Sequence, residues 1–77
     1  MITKNIQAAE SLLKEHNLSL DIFYAVTSYI YDIKLQAYKS SLKELSVLGE
    51  FIEGHNNYGF LHLHIRHNDC KIDIVLT

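Results

Sequence analysis

Within the last eighteen residues, 61–66 and 70–74 alternate between apolar and polar side chains, a pattern that predicts a β-hairpin over Phe60 to Thr77. Two alternating arms flank Asn68 and Asp69, whose side chains tolerate the positive φ angles of a tight turn. A two-residue loop there sets His67 opposite Cys70, and a slip by one residue would scatter the apolar side chains over both faces. The predicted apolar face consists of Leu61, Leu63, Ile65, Ile72, Ile74 and Leu76.

The other face of this hairpin carries polar and aromatic groups. The same register places His64 beside Asp73 and His62 beside Val75. Such a mixture of polar, aromatic and aliphatic side chains is typical of a protein interface. The predicted interaction surface comprises Ile30, Tyr38, Phe60, His62, His64, Arg66, Asp73 and Val75. We also expect the final strand, which ends at Thr77, to expose an edge of the sheet.

Helical periodicity near the N-terminus predicts a helix over about residues 3–16. Its apolar stripe consists of Ile2, Ile6, Ala9, Leu12 and Leu13. Asn17 suits the left-handed position that ends a helix, and this ending would turn Leu18 back onto Leu13.

Residues 21–38 fit two periodicities, because their apolar side chains lie on one helical stripe and, from residue 29 to 37, also alternate as in a strand. The content of tyrosine, isoleucine, valine and threonine favours a strand over about residues 27–38. In that strand, Tyr29 and Tyr31 are expected to pack in the core against the first helix.

A short helix is predicted after this strand, because Ser41 and Glu44 have the spacing of a capping box and Gly49 suits the end of the helix. A short strand over 50–53 and a turn over 54–59 lead into the hairpin. The prediction is a single α+β domain over residues 1–77. Its antiparallel sheet has three to four strands, with an N-terminal helix on one face and the short helix between strands, in the order α-β-α-β-β-β.

Charge and cysteine content exclude several classes of protein. The seven Lys and Arg residues are scattered and the net charge is −2, which argues against a protein that binds the phosphate backbone of nucleic acid. Cys70 is the only cysteine, so no internal disulfide forms and a reducing, cytoplasmic location is expected. No apolar run approaches the roughly 20 residues of a membrane span.

Two chemical alternatives rest on the polar face of the hairpin. His62, His64 and Asp73 are the candidate zinc ligands, since two imidazoles and a carboxylate project from paired strands. Alternatively, Tyr38, Phe60 and the histidines stack on single-stranded nucleic acid, with Lys34, Arg66 and Lys71 at the phosphates. No nucleophile motif, phosphate loop or paired carboxylates point to an enzyme.

The function predicted from these features is that of a small non-catalytic cytosolic protein-interaction module, which docks on a larger protein or forms a homodimer through its sheet. Chains of this size are common among phage and mobile-element accessory proteins and inhibitors. That expectation comes from length rather than from particular residues.

Overall fold

The computed structural model describes residues 2–54 and 58–77, with side chains from residue 4 onward. The turn predicted over 54–59 therefore lies partly outside the described residues. The helices are α1 (Ile2–Glu15) and α2 (Leu42–Leu45), and single 3₁₀ turns occupy Leu20–Ile22, Lys39–Ser41 and Ser46–Leu48. The strands are β1 (Ala25–Ser28), β2 (Asp32–Ala37), β3 (Ile52–Glu53), β4 (Leu61–His67) and β5 (Cys70–Leu76).

The first helix ends where its sequence predicts. Asn17 has a φ of 59°. Its N–H donates to the carbonyl of Lys14 at 3.1 Å, and the N–H of Leu18 donates to that of Leu13 at 2.8 Å. These two bonds form a Schellman motif, which satisfies carbonyls at the helix end and turns Leu18 onto the core. The predicted helix end at Asn17 is confirmed.

Within the described residues, five strands form one mixed sheet in the order β1-β2-β5-β4-β3. β2 and β5 run parallel, and the other neighbouring pairs are antiparallel. The α+β class is confirmed, whereas the expected antiparallel sheet of three to four strands is corrected. β5 lies at the centre of the sheet and not at its edge, because its backbone pairs with β2 on one side and with β4 on the other.

The hairpin of β4 and β5 has the predicted register, with His67 opposite Cys70 and Leu63 opposite Ile74. Asn68 and Asp69 have φ angles of 50° and 61°, as a type I′ turn requires. Ile72, Ile74 and Leu76 are fully buried, while the apolar residues of β4 are partly buried against the same core. The alternating pattern therefore predicted both the turn and the buried face.

The strand predicted over 27–38 is two strands joined by a tip loop, residues 29–31. The N–H of Tyr29 donates to the carbonyl of Asp32 at 2.7 Å and closes this loop. Tyr29 and Tyr31 are exposed, so their predicted place in the core is wrong. The loop contains no glycine, proline or asparagine to mark a turn, and its two tyrosines have the same parity as the buried positions of β2, so the predicted strand extends through it.

The short helical segment between β2 and β3 differs from its predicted capping box. Ser41 has φ −90° and ψ 2°, and its side chain caps no backbone N–H. An N-cap residue has extended backbone, whereas Ser41 already belongs to the preceding 3₁₀ turn. The segment is held instead by Leu45, which is fully buried in the shared core.

Candidate interaction surface on the open sheet face

The sheet has one face against helices and one face that the described helices leave uncovered. Residues of α1 and Leu45 of α2 join the core on the side of Leu35 and Ile74. We call the opposite side the open face. Its strand residues are Ala25, Thr27, Asp32, Lys34, Gln36, Ile52, His62, His64, Arg66, Lys71, Asp73 and Val75.

Five of the predicted interaction residues lie together on this face: His62, His64, Arg66, Asp73 and Val75. Four of them keep solvent-accessible side chains. Val75, in contrast, is only 5% exposed, because it lies in the central strand with Gln36 on one side and His62 on the other. It therefore forms the floor of the surface, and the polar side chains around it form the part that a partner can touch.

The two histidines of β4 are held in defined positions. The Nδ1–H of His64 donates to Oδ1 of Asp73 at 2.5 Å, and the rings of His62 and His64 stack with centroids 6.4 Å apart and planes 16° apart. A Cβ atom at Gly54 would lie 2.5 Å from Nε2 of His62, so the absence of a side chain at position 54 makes room for this imidazole. The face therefore presents ordered polar groups.

The predicted zinc ligands share the face but do not form a complete set. Nδ1 of His64 is hydrogen-bonded to Asp73, so this atom does not face a metal ion. The ligands that remain are one nitrogen of His64 and one of His62. Zinc sites use at least three protein ligands, and in the described part of the chain no three His, Cys, Asp or Glu side chains are grouped to hold a metal ion. Zinc binding by His62, His64 and Asp73 stays a prediction.

The remaining predicted residues lie at the two ends of the open face. Phe60 stacks on Tyr58 with ring centroids 5.4 Å apart, and Tyr38 packs on Tyr24 at 4.7 Å. The hydroxyl of Tyr24 is 3.0 Å from Oγ1 of Thr77. Ile30 belongs to the tip loop and is highly exposed, so it borders the strands without lying in one.

Two clefts in the described structure adjoin the open face. A cleft of about 740 Å³ lies beside the tip loop and is lined by Tyr29, Ile30, Tyr31, Asp32, Arg66, Asp69 and Lys71. A second, of about 480 Å³, lies beside β3 and is lined by Glu50, Ile52, Glu53, Gly54, His62, Leu63 and His64. Both combine apolar and charged walls, as protein interfaces do.

Two side chains connect this sheet to α1: Asn5, which the sequence analysis did not single out, and His67, which it placed only in the hairpin register. Asn5 of α1 is 5% exposed, and its Nδ2 group donates to the carbonyls of Tyr29 at 2.5 Å and Asp32 at 3.2 Å. His67 has its Nε2 atom 3.3 Å from Oγ of Ser11 and 3.3 Å from Oε2 of Glu15. Asn5 falls on the buried side of α1, three and four positions before two buried alanines, and that spacing is the signal that would have identified it.

Cys70 lies on the core side of the sheet and is almost completely buried. Burial raises the pKa of its thiol, and the carboxylate of Asp32 adds to the increase. A raised pKa disfavours the thiolate, which is the reactive form of cysteine. The thiol is therefore part of the packing of the hairpin.

No protein-family model, curated protein or solved structure matches this chain. None of the helices in the described residues is both long and apolar enough to cross a membrane.

Proposed function

We propose that this chain is a small, non-catalytic protein-interaction module that docks on another protein through its open sheet face. The observation that carries the proposal is the exposure of every tyrosine. The chain has five, and the least exposed of them retains 48% of its accessible surface. Tyr24, Tyr38 and Tyr58 lie at the end of the sheet where β2 and β5 end, and Tyr29 and Tyr31 form the tip loop at the opposite end.

Tyrosine exposed at this level is characteristic of binding surfaces. Its ring buries a large apolar area while its hydroxyl remains hydrogen-bonded, and few rotatable bonds lose freedom when it is fixed. Tyrosine and arginine are also the residue types enriched among the contacts that contribute most to binding. The rings at both ends of the open face, with Arg66 and the two histidines between them, fit the anchors of such an interface.

The charge on the face favours a protein over a nucleic acid. Three cationic side chains, Lys34, Arg66 and Lys71, share the face with the carboxylates of Asp32 and Asp73. In the strand register, Asp32 neighbours Lys71 and Asp73 neighbours Lys34, so positive and negative groups alternate. A surface that follows a phosphate backbone has an excess of positive charge, whereas mixed charge is usual at protein interfaces.

A cytoplasmic site of action completes the proposal. The free, buried thiol of Cys70 fits a reducing compartment. A role as a phage or mobile-element accessory protein or inhibitor is consistent with the size of the chain.

Affinity capture of proteins from a lysate of the native host tests the proposal, with the chain as bait. Wild type is compared with two charge-matched variants. The open-face variant carries Lys34→Glu and Arg66→Glu, and the control carries Lys4→Glu and Lys14→Glu on the exposed side of α1. We expect wild type and control to retain the same host protein and the open-face variant to lose it, with circular dichroism confirming that all three fold. Equal retention by both variants, or no retained protein, would contradict docking through the open face.

A further inference from the structure

The two edges of the sheet differ in how they are protected against pairing with another strand. The edge strand β3 has only two residues, one of which is Glu53, and Glu50 lies just before it. Short edge strands and charged side chains are devices that prevent edge pairing. The edge strand β1 has four residues, Ala25–Ser28, and neither they nor the flanking Tyr24 and Tyr29 carry a charge or a proline ring.

The hydrogen-bond pattern shows which backbone groups β1 turns outward. The N–H of Tyr29 points inward, to the carbonyl of Asp32. Between Tyr29 and Ala25 the N–H and C=O groups alternate in direction, so the groups of Thr27 also point toward β2. The alternation ends at Tyr24, whose N–H donates to the carbonyl of Gln36 at 2.9 Å. The N–H and C=O groups of Val26, which lies between Ala25 and Thr27, therefore point away from β2 at the edge of the sheet.

The side chain of Val26 also has no neighbouring strand on the outer side of β1. It lies opposite Leu35, which is fully buried, yet Val26 keeps 41% of its surface exposed. The exposure arises because β1 has a strand on only one side. A strand added at this edge would cover the valine side chain and pair its backbone groups in one step.

We propose that a second copy of this chain adds antiparallel to β1, about a two-fold axis centred on Val26. In this register the two Val26 residues exchange both backbone hydrogen bonds, and Ala25 of each copy lies opposite Thr27 of the other. The edge is self-complementary because an uncharged strand paired with itself brings no like charges together.

The symmetry has a consequence for the open face. A two-fold axis perpendicular to the sheet keeps both copies the same way up, so the two open faces join on one side of a continuous ten-stranded sheet. The dimer goes beyond the function proposed above and does not depend on it, since the edge pairs whether or not a partner binds the face. If a partner does bind, the dimer presents two equivalent docking surfaces.

Sedimentation equilibrium between about 10 µM and 1 mM tests the dimer, because an interface this small gives weak association. Val26→Lys places a charge at the proposed contact, and Ile52→Lys places the same charge on the open face at the opposite edge, where the side chain is also exposed. We expect wild type and Ile52→Lys to dimerise and Val26→Lys to dimerise at least tenfold more weakly. A wild type that stays monomeric at the highest concentration would overturn the proposal, as would weakening by Ile52→Lys alone.

Amide hydrogen exchange of the wild type provides a second readout that needs no substitution. The N–H of Val26 should exchange more slowly as protein concentration rises, since dimerisation supplies its acceptor. The N–H of Thr27 is bonded within its own sheet, so it serves as the internal control. Exchange at Val26 that is independent of concentration would place any self-association elsewhere. Neither measurement involves a host partner, so the outcome is independent of the capture experiment.

Discussion

Asn5 joins α1 to the loop between β1 and β2 through a single buried amide. Its Nδ2 group donates to the main-chain carbonyls of Tyr29 and Asp32 and lies 3.2 Å from Oγ of Ser28. Removing the donor would leave buried carbonyls without a hydrogen bond, and the protein would lose stability by the free energy of their desolvation. Asn5 of α1 therefore holds the tip loop in position.

Replacing Asn5 with alanine should lower the free energy of unfolding by about 1–2 kcal/mol, even though alanine favours the helix. Urea denaturation measures the loss. Gln7→Ala, at an exposed position of the same helix, is the matched control and should change stability by less than about 0.5 kcal/mol. Equal effects of the two substitutions would mean that the amide contributes nothing to stability.

Cys70 gives the fold a dependence on alkaline pH. The pKa of its thiol is raised in the folded state by burial and then by Asp32, so folding favours the protonated form. The resulting stabilisation is fully present below the pKa of the unfolded thiol, roughly 8.5, and is lost as the pH rises through the higher pKa of the folded state.

The comparison with Cys70→Ala isolates this contribution. At neutral pH we expect wild type to be more stable than the variant by about 1 kcal/mol, since alanine leaves a small cavity. This advantage should shrink as the pH is raised to about 10, because only wild type carries the thiol. Urea denaturation at the two pH values measures it, and a difference that stays constant with pH would contradict the raised pKa.

At the scale of single elements, the turn of the β4–β5 hairpin depends on two residues with positive φ. A left-handed backbone costs an L-residue roughly 1–2 kcal/mol, less for asparagine and aspartate, and nothing comparable for glycine. Asp69→Gly would create the Asn-Gly pair that type I′ turns favour most.

We expect Asp69→Gly to raise the free energy of unfolding by about 0.5 kcal/mol, because relief of the backbone outweighs the added freedom of the unfolded chain. Asp69→Ala is the matched control and should lower it by about 1 kcal/mol, since alanine has no local hydrogen bond to support a positive φ. Thermal melts of both variants test the turn. The same sign of change for both would contradict the turn geometry.

The elements that the sequence predicted are those whose signals are local. Asn68 and Asp69 mark the hairpin turn between two alternating arms, and Asn17 marks the end of α1. The tip loop has no glycine, proline or asparagine, and Tyr29 and Tyr31 share the parity of the buried residues of β2 although the backbone turns there. Periodicity reports which residues alternate, but it does not report whether the chain between them reverses direction.

At the scale of the whole molecule, the order of strands depends on contacts that are distant in sequence. Ile33 of β2 lies beside Ile72 of β5, although almost half of the chain separates them. The alternating pattern of β5 shows which of its faces is buried, but it does not identify the strand that lies on its second side. The same limit applies to the candidate surface, where the hairpin register placed His64 beside Asp73 but could not place Ile52 next to His62.

Because β5 joins both halves of the sheet and α1 packs on the same core, the described elements should unfold as one unit. Ile74 lies between Leu35 and Leu63 and is fully buried. Ile74→Ala should cost about 3 kcal/mol, a large part of the roughly 4–12 kcal/mol expected for a chain of this length. Val47→Ala, at an exposed position, is the control and should change stability by less than about 0.5 kcal/mol.

The test of this unity is whether two optical signals of Ile74→Ala change together. Near-ultraviolet circular dichroism reports the packed rings of Tyr24 and Tyr38 at one end of the sheet, and far-ultraviolet circular dichroism is dominated by α1. A single core requires the two urea transitions to have the same midpoint, shifted equally from wild type. Separate midpoints would show that α1 and the sheet unfold independently, and the position of the tip loop would then no longer depend on the packing of α1 against the central strands.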